Sequence, residues 1–164
     1  MKVQIFHAYV YSKVCYGLHC YGFTHKASLK KVQVLCNKLL KILLLKDRLF
    51  PTDALYKECK LLKVKDMHEF VTLQFVHKSV HSTATTPENI REFYTRNMNT
   101  HDVNVRDIFL VRIPKTNNAI GEQTVHRFGA ALWNKLPLHL RSLSDREVFK
   151  SNLKDYMLSK YRMT

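Results

Sequence analysis

The chain has 164 residues, 46% apolar and 11% aromatic, which suits one domain or two very small ones with a real core and excludes a disordered segment. Four glycines and four prolines are too few for a turn-rich sandwich or barrel and favour long helices. Lysine and arginine number 27 against 13 acids, a formal charge of +14 where roughly 2–8 keep a small domain soluble, so a polyanionic partner is expected: nucleic acid first, an anionic membrane surface second.

In chain order, residues 2–17 give a helix-compatible pattern through Ile5, Tyr9, Ser12 and Tyr16, loosened by Gly17 and Gly22 in YGLHCYG. Residues 28–45 form the clearest helix, with Leu29, Val32, Cys36, Leu39, Leu40 and Leu43 at 3–4-residue spacing and Ser28 as the expected N-cap. Pro51-Thr52 opens a short helix through Leu55, Tyr56 and Cys59. A further helix is expected from Asp66 to His81, acidic at its start and basic at its end. STATTP, Ser82 to Pro87, is the linker candidate, and ENIREFYTRN reads as a short helix.

Beyond it, DIFLVRIPK (Asp107 to Lys115) alternates Phe109, Val111 and Ile113 against Leu110 and Arg112, the pattern of a short strand or extended segment ended by Pro114. KTNNAIG reads as a turn. Helical spacing resumes at Val125, Phe128, Leu132, Trp133 and Leu136, and Pro137 terminates it. Trp133 and Phe128 are expected core anchors, with Gly129 permitting close helix packing. Ser144 and Glu147 spell a capping box ahead of Val148, Phe149, Leu153, Tyr156, Met157 and Tyr161. The expected fold is therefore mainly α, a helical bundle with a short β or extended element near residues 107–115. Residues 1–82 carry 14 basic and 5 acidic residues and 83–164 carry 13 and 8, which suggests a basic helical part over 1–82 and a C-terminal part over 83–164, or one continuous domain.

Cysteines 15, 20, 36 and 59 all lie in the first part of the chain, where MKVQIFHAYVYSKV lacks the uninterrupted apolar region of a signal peptide. An intracellular protein with free thiols is expected. Cys15, His19, Cys20 and His25 fit the paired spacings of structural zinc poorly. The sequence contains neither a nucleophile elbow nor a glycine-rich phosphate loop, and no two acids are adjacent. No cofactor is expected.

VHRFGAALWNKLP, followed by LHLRSLSDREVFKSNLKDYMLSKY, resembles the C-terminal region of reverse transcriptases from LINE-type (non-LTR) retrotransposons. Gly129, Leu132, Trp133, Asn134, Leu136 and Pro137 match that family's G-x-x-LWN-x-LP, and Phe149, Lys150, Leu153, Lys154, Tyr156 and Tyr161 match the segment after it. Upstream, YSKVCYGLHCYG resembles the family's YSKLxYGxxxWG through Tyr11, Ser12, Tyr16, Gly17 and Gly22. LLKVKDMHEF resembles another family segment through Leu62, Lys63, Asp66 and His68. The likeness spans about residues 9 to 161; Tyr21 stands where the family often has Trp.

The resemblance implies the thumb and C-terminal extension of an RNA-directed DNA polymerase, which hold an RNA–DNA template–primer duplex beside the catalytic palm. The palm's carboxylates, which would bind Mg²⁺, have no counterpart here, so the chain is expected not to polymerise by itself.

Taking about 100° per residue, Lys30, Lys31, Lys38 and Lys41 fall within roughly one 100° arc of the 28–45 helix, opposite its apolar stripe. They are the first candidates for phosphate contacts, with Lys57, Lys60 and Lys63 extending the surface in KECKLLKVK; a plain solvated face is the alternative. Tyr9, Tyr11, Tyr16 and Tyr21 are candidates for base stacking, but at helical spacing core packing is the favoured reading. Arg141, Arg146, Lys150 and Lys154 are candidates for RNA contact or for solvation of the last helix. A stand-alone basic RNA- or DNA-binding module and a helical protein-interaction domain remain the alternative functions; a membrane surface is the weakest partner.

Overall fold

The computed structural model of the chain describes residues 2–24, 26–81, 87–95, 109–116, 118–122 and 124–161. These are mainly α-helical, as expected, and no sheet occurs among them. Two compact units are formed, Met1–His68 with Lys154–Thr164, and Glu69–Leu153. The expected division at 82/83 and most of the STATTP linker lie outside the described residues.

The first unit opens with α1 (Lys2–Phe6), a π-helical turn (His7–Tyr11) and α2 (Ser12–Cys15). Ser12 Oγ donates back to the Ala8 carbonyl at 2.5 Å, a side-chain competitor for the helix ladder inside that widened turn. Gly17, at φ +66°, turns the chain into α3 (Leu18–Tyr21). α4 (Lys26–Leu43) packs against α1. Because α4 is already helical at Lys26, Ser28 lies inside its first turn and is not its N-cap.

The C-termini of α4 and of α5 (Thr52–Glu58) end alike. Lys46 N–H reaches the Lys41 carbonyl and Leu45 N–H the Ile42 carbonyl; Leu61 and Lys60 do the same to Tyr56 and Lys57. This is the Schellman pattern, whose turning residue is usually glycine. Here it is Leu45 (φ +55°) and Lys60 (φ +51°), each in the left-handed region.

α6 (Val64–His81) begins two residues before the expected Asp66. Three successive backbone donors at its entry are satisfied by side chains from elsewhere in the unit. Leu62 N–H donates to Tyr11 Oη (3.2 Å), Lys63 N–H to Tyr161 Oη (2.9 Å) and Val64 N–H to Gln33 Oε1 (2.6 Å). A helix start normally marked by a local Ser or Asp is thus marked by tertiary acceptors. Phe6, Leu18, Leu40, Leu55, Tyr56 and Leu62 are among the buried residues of this unit.

The second unit continues α6 from Glu69 and adds α7 (Glu88–Arg91), a 3₁₀ turn at Glu92–Tyr94, α8 (Ala119–Glu122), α9 (Val125–Asn134), α10 (Leu138–Arg141) and the first half of α11 (Arg146–Ser159). α8 stands where KTNNAIG suggests only a turn, because Asn118 Oδ1 accepts from Gly121 N–H at 2.7 Å and nucleates one helical turn. The described part of the expected extended element, 109–115, is non-helical, and Arg112 N–H bonds the Thr95 carbonyl at 3.0 Å; residues 107 and 108 lie outside the described residues.

Trp133 is fully buried, and its Nε1–H donates to the Phe109 carbonyl at 2.8 Å. Gly129 is needed because a Cβ there would stand 2.7 Å from Tyr94 Oη and 2.9 Å from Val76 Cγ2. Thr124 caps α9. α11 is capped by Asp145, whose Oδ1 accepts from Val148 N–H at 2.8 Å. Ser144 is therefore not the cap: the helix begins one residue later than a Ser144–Glu147 box requires. Val148, expected in the apolar stripe, is exposed, while Phe149 and Leu153 are fully buried.

Candidate nucleic-acid interface

Residues 1–46 contain eight lysines and no acidic residue; Asp47 is the first acid of the chain. α4 lies wholly inside this stretch and carries five of those lysines. Lys30, Lys31 and Lys38 are exposed on it, on the side away from the buried Cys36 and Leu40. No carboxylate on α4 competes for them, so their field adds along one face.

The other candidates are held within the fold to differing degrees. Lys41 is half-buried and its Nζ donates to the Arg48 carbonyl at 2.7 Å. Lys57 is half-buried on α5, and Lys60 is exposed at the left-handed turn that follows it. Lys63 is the most committed: its Nζ is paired with Asp53 Oδ1 and sits 4.8 Å from the centre of the Tyr161 ring. The structure therefore gathers Lys30, Lys31 and Lys38 as a face with open ammonium groups and gives Lys63 an intramolecular partner.

Of the four tyrosines, Tyr9 and Tyr16 are open to solvent, at 71% and 86% exposure. Tyr11 and Tyr21 are engaged: Tyr11 Oη receives Leu62 N–H, and Tyr21 Oη donates to the Val14 carbonyl. Burial pushes the Tyr11 hydroxyl far above its ordinary range. In the second unit Arg141 is buried, Arg146 and Lys150 are exposed, and Lys150 lies 3.4 Å from Glu147.

The four cysteines are free. Burial raises the thiol pKa values of Cys15, Cys36 and Cys59, and Cys15 Sγ contacts Met67 Sδ at 2.9 Å. Among the described residues no three His, Cys, Asp or Glu side chains are grouped to hold a metal ion; His25 lies outside them. Among the same residues no helix is long and apolar enough to cross a membrane.

The same exposed side of α4 carries aliphatic side chains that lysine-spacing arguments miss. Val34, Leu35, Leu39 and Ile42 stand in solvent there, and Leu45 and Leu49 follow in the loop. Leu39, expected in the core stripe, sits at its edge, because the buried centre of the helix is Cys36 and Leu40. A helical wheel read for apolar residues outside the main stripe would have shown Leu35, Leu39 and Ile42 at i, i+4 and i+7.

No family model matches the chain, and no curated protein or solved structure is significantly similar to it.

Proposed function

We propose that the chain serves as the thumb and C-terminal region of a LINE-type non-LTR reverse transcriptase, holding an RNA–DNA template–primer duplex for a palm that carries the Mg²⁺-dependent chemistry. The observation that carries this proposal is the acid-free face of α4, with Lys30, Lys31 and Lys38 open to solvent. The ordered sequence likenesses around Tyr11–Gly22, Leu62–His68 and Gly129–Tyr161 support the family assignment.

From Lys31 to Lys38 the helix rises about 10 Å, at about 1.5 Å per residue. That is on the order of three base-pair steps of about 3.4 Å, so Lys31 and Lys38 are spaced to meet phosphates about three steps apart on one strand. Each such contact releases condensed counterions and confers no sequence preference. Lys41, Lys57 and Lys60 extend the field, and Lys63 anchors the entry of α6. The chain supplies binding and positioning rather than phosphoryl transfer.

The test is fluorescence anisotropy of a labelled RNA–DNA hybrid titrated with the purified chain from about 50 to 200 mM salt. Affinity is expected to fall steeply with salt. Changing Lys30, Lys31, Lys38 and Lys41 together to Gln is expected to flatten the log–log slope by about one unit per lost phosphate contact. Absence of binding at low salt by a chain with intact helical circular dichroism would overturn the proposal.

A further inference from the structure

Phosphate binding accounts for the lysines of α4 but not for the aliphatic residues between and beside them. A nucleic-acid backbone offers no apolar surface against which Leu or Ile is buried. Single exposed leucines are ordinary; a run on one helix face is not. Leu35 and Ile42, at 60% and 69% exposure, lie with the less exposed Leu39 along one ridge of α4. Lys31 and Lys38 border one edge of this ridge. Towards the helix start, Ala27, Lys30, Lys31, Val34 and Leu35 line a shallow open groove with an apolar floor.

We propose that this face of α4 docks a helix of a partner protein, one presenting an apolar stripe at i, i+4 and i+7 with carboxylates flanking it. The spacing of Leu35, Leu39 and Ile42 is that of helix-in-groove anchors, and ridges of this kind pack into the grooves of a facing helix. Charge decides the occupant. α4 has no acid, so a second copy of the chain would set Lys31 and Lys38 against their own kind. An acidic helix instead places carboxylates opposite both lysines while its leucines cover Leu35 and Ile42. Because Lys31 and Lys38 also serve the proposed duplex contact, the partner helix and the duplex exclude one another on α4.

The probe is a labelled synthetic peptide of roughly 18 residues, about five helical turns, with leucines at i, i+4 and i+7 flanked by glutamates. Titrated with the full chain, it is expected to bind with a Kd of about 1–50 µM and to be displaced by the RNA–DNA hybrid. Leu35→Ser with Ile42→Ser is expected to weaken peptide binding by about tenfold or more while leaving hybrid affinity and circular dichroism unchanged. Lys31→Glu with Lys38→Glu is expected to switch preference to a lysine-flanked version of the peptide. Equal binding of a scrambled peptide of the same composition overturns the proposal, as does absence of peptide binding. Self-association abolished by the serine pair overturns it in favour of a second copy. Sedimentation with phosphatidylserine vesicles, lost in the serine pair, overturns it in favour of a lipid surface. Failure of the hybrid to bind, with peptide binding intact, removes the duplex reading alone.

Discussion

The carboxamide of Asn134 pairs with both backbone groups of Val111: Nδ2–H donates to the Val111 carbonyl at 2.9 Å, and Oδ1 accepts Val111 N–H at 3.0 Å. One side chain at the end of α9 thereby takes the place of a neighbouring strand for an extended residue that is itself buried. With Trp133 holding the Phe109 carbonyl, the pair Trp-Asn clips the extended segment to α9. Asn134→Ala leaves two buried backbone groups unpaired and is expected to cost about 2–4 kcal/mol, read as a lower urea midpoint at unchanged m. Asn134→Asp is expected to be as costly, because a carboxylate oxygen then faces the Val111 carbonyl.

The single hydroxyl of Tyr161 both accepts and donates. Its Oη accepts Lys63 N–H at 2.9 Å and donates to Asp66 Oδ2, which joins the end of the chain to the start of α6. Tyr161→Phe is expected to cost about 1–3 kcal/mol, the penalty for stranding a helix-entry N–H and a carboxylate oxygen. Amide exchange at Lys63 is expected to accelerate more than exchange in the middle of α6.

Lys63 and Lys31 are expected to separate stability from binding. Lys63→Gln removes the pair with Asp53 and the contact with the Tyr161 ring. Both carboxylate and ammonium are partly exposed, so the loss is expected to be only about 0.5–1 kcal/mol, with little change in hybrid affinity. Lys31→Gln is expected to leave the thermal midpoint unchanged and to weaken hybrid binding. Equal loss of hybrid affinity in the two variants would count against the Lys30–Lys31–Lys38 face as the centre of contact.

Leu45 and Lys60 occupy left-handed positions that cost an L-residue about 1–2 kcal/mol. Glycine removes that strain but loosens the unfolded chain, at a cost of about 0.4–1 kcal/mol. Leu45→Gly and Lys60→Gly are each expected to stabilise by roughly 0.5–1 kcal/mol in a denaturant melt, the difference between those two effects.

His77 is buried and stacked on Phe149, with ring centres 4.1 Å apart, and its Nε2 lies 2.8 Å from the Leu143 carbonyl. A carbonyl only accepts, so Nε2 carries the proton and Nδ1 is bare and buried, without a hydrogen-bond partner among the described residues. Burial lowers the His77 pKa, and the nearby Arg146 lowers it further, against raising contributions from the Leu143 hydrogen bond and Asp145. The folded chain therefore binds fewer protons here than the unfolded chain. The His77 contribution is complete above the unfolded value of about 6.5 and is lost as pH falls from there through the folded value. The midpoint of urea unfolding is expected to drop as pH falls below about 6.5, and His77→Gln is expected to flatten that drop. The imidazole resonances of His77 should titrate below the ordinary histidine value of about 6.5; titration at or above that value would overturn the assignment.

Much of the fold was legible because it rests on local chemistry. The 3–4-residue spacing of Leu29, Val32, Cys36, Leu40 and Leu43, the stop at Gly17 and the alternation around Val111 each concern residues a few positions apart. Helix ends were read less well. Ser144 and Asp145 are both good caps one residue apart, and only the final backbone selects Asp145. The start of α6 carries an acidic first turn at Asp66 but no local cap, because the acceptors of its entry lie 31, 51 and 98 residues away in sequence.

The candidate site divides along the same line. Composition and spacing alone determined that the chain is helical, strongly basic, and carries Lys30, Lys31, Lys38 and Lys41 on one side of α4, because charge and helical period are properties of the chain itself. Tertiary structure decided which lysines keep free ammonium groups, since Lys63 meets Asp53 only once α5 and the α6 entry are assembled. It also decided that Leu35, Leu39 and Ile42 stay in water. An apolar residue on a helix is assigned to core or surface by what packs against it, and that partner is chosen by long-range contacts rather than by its neighbours in sequence.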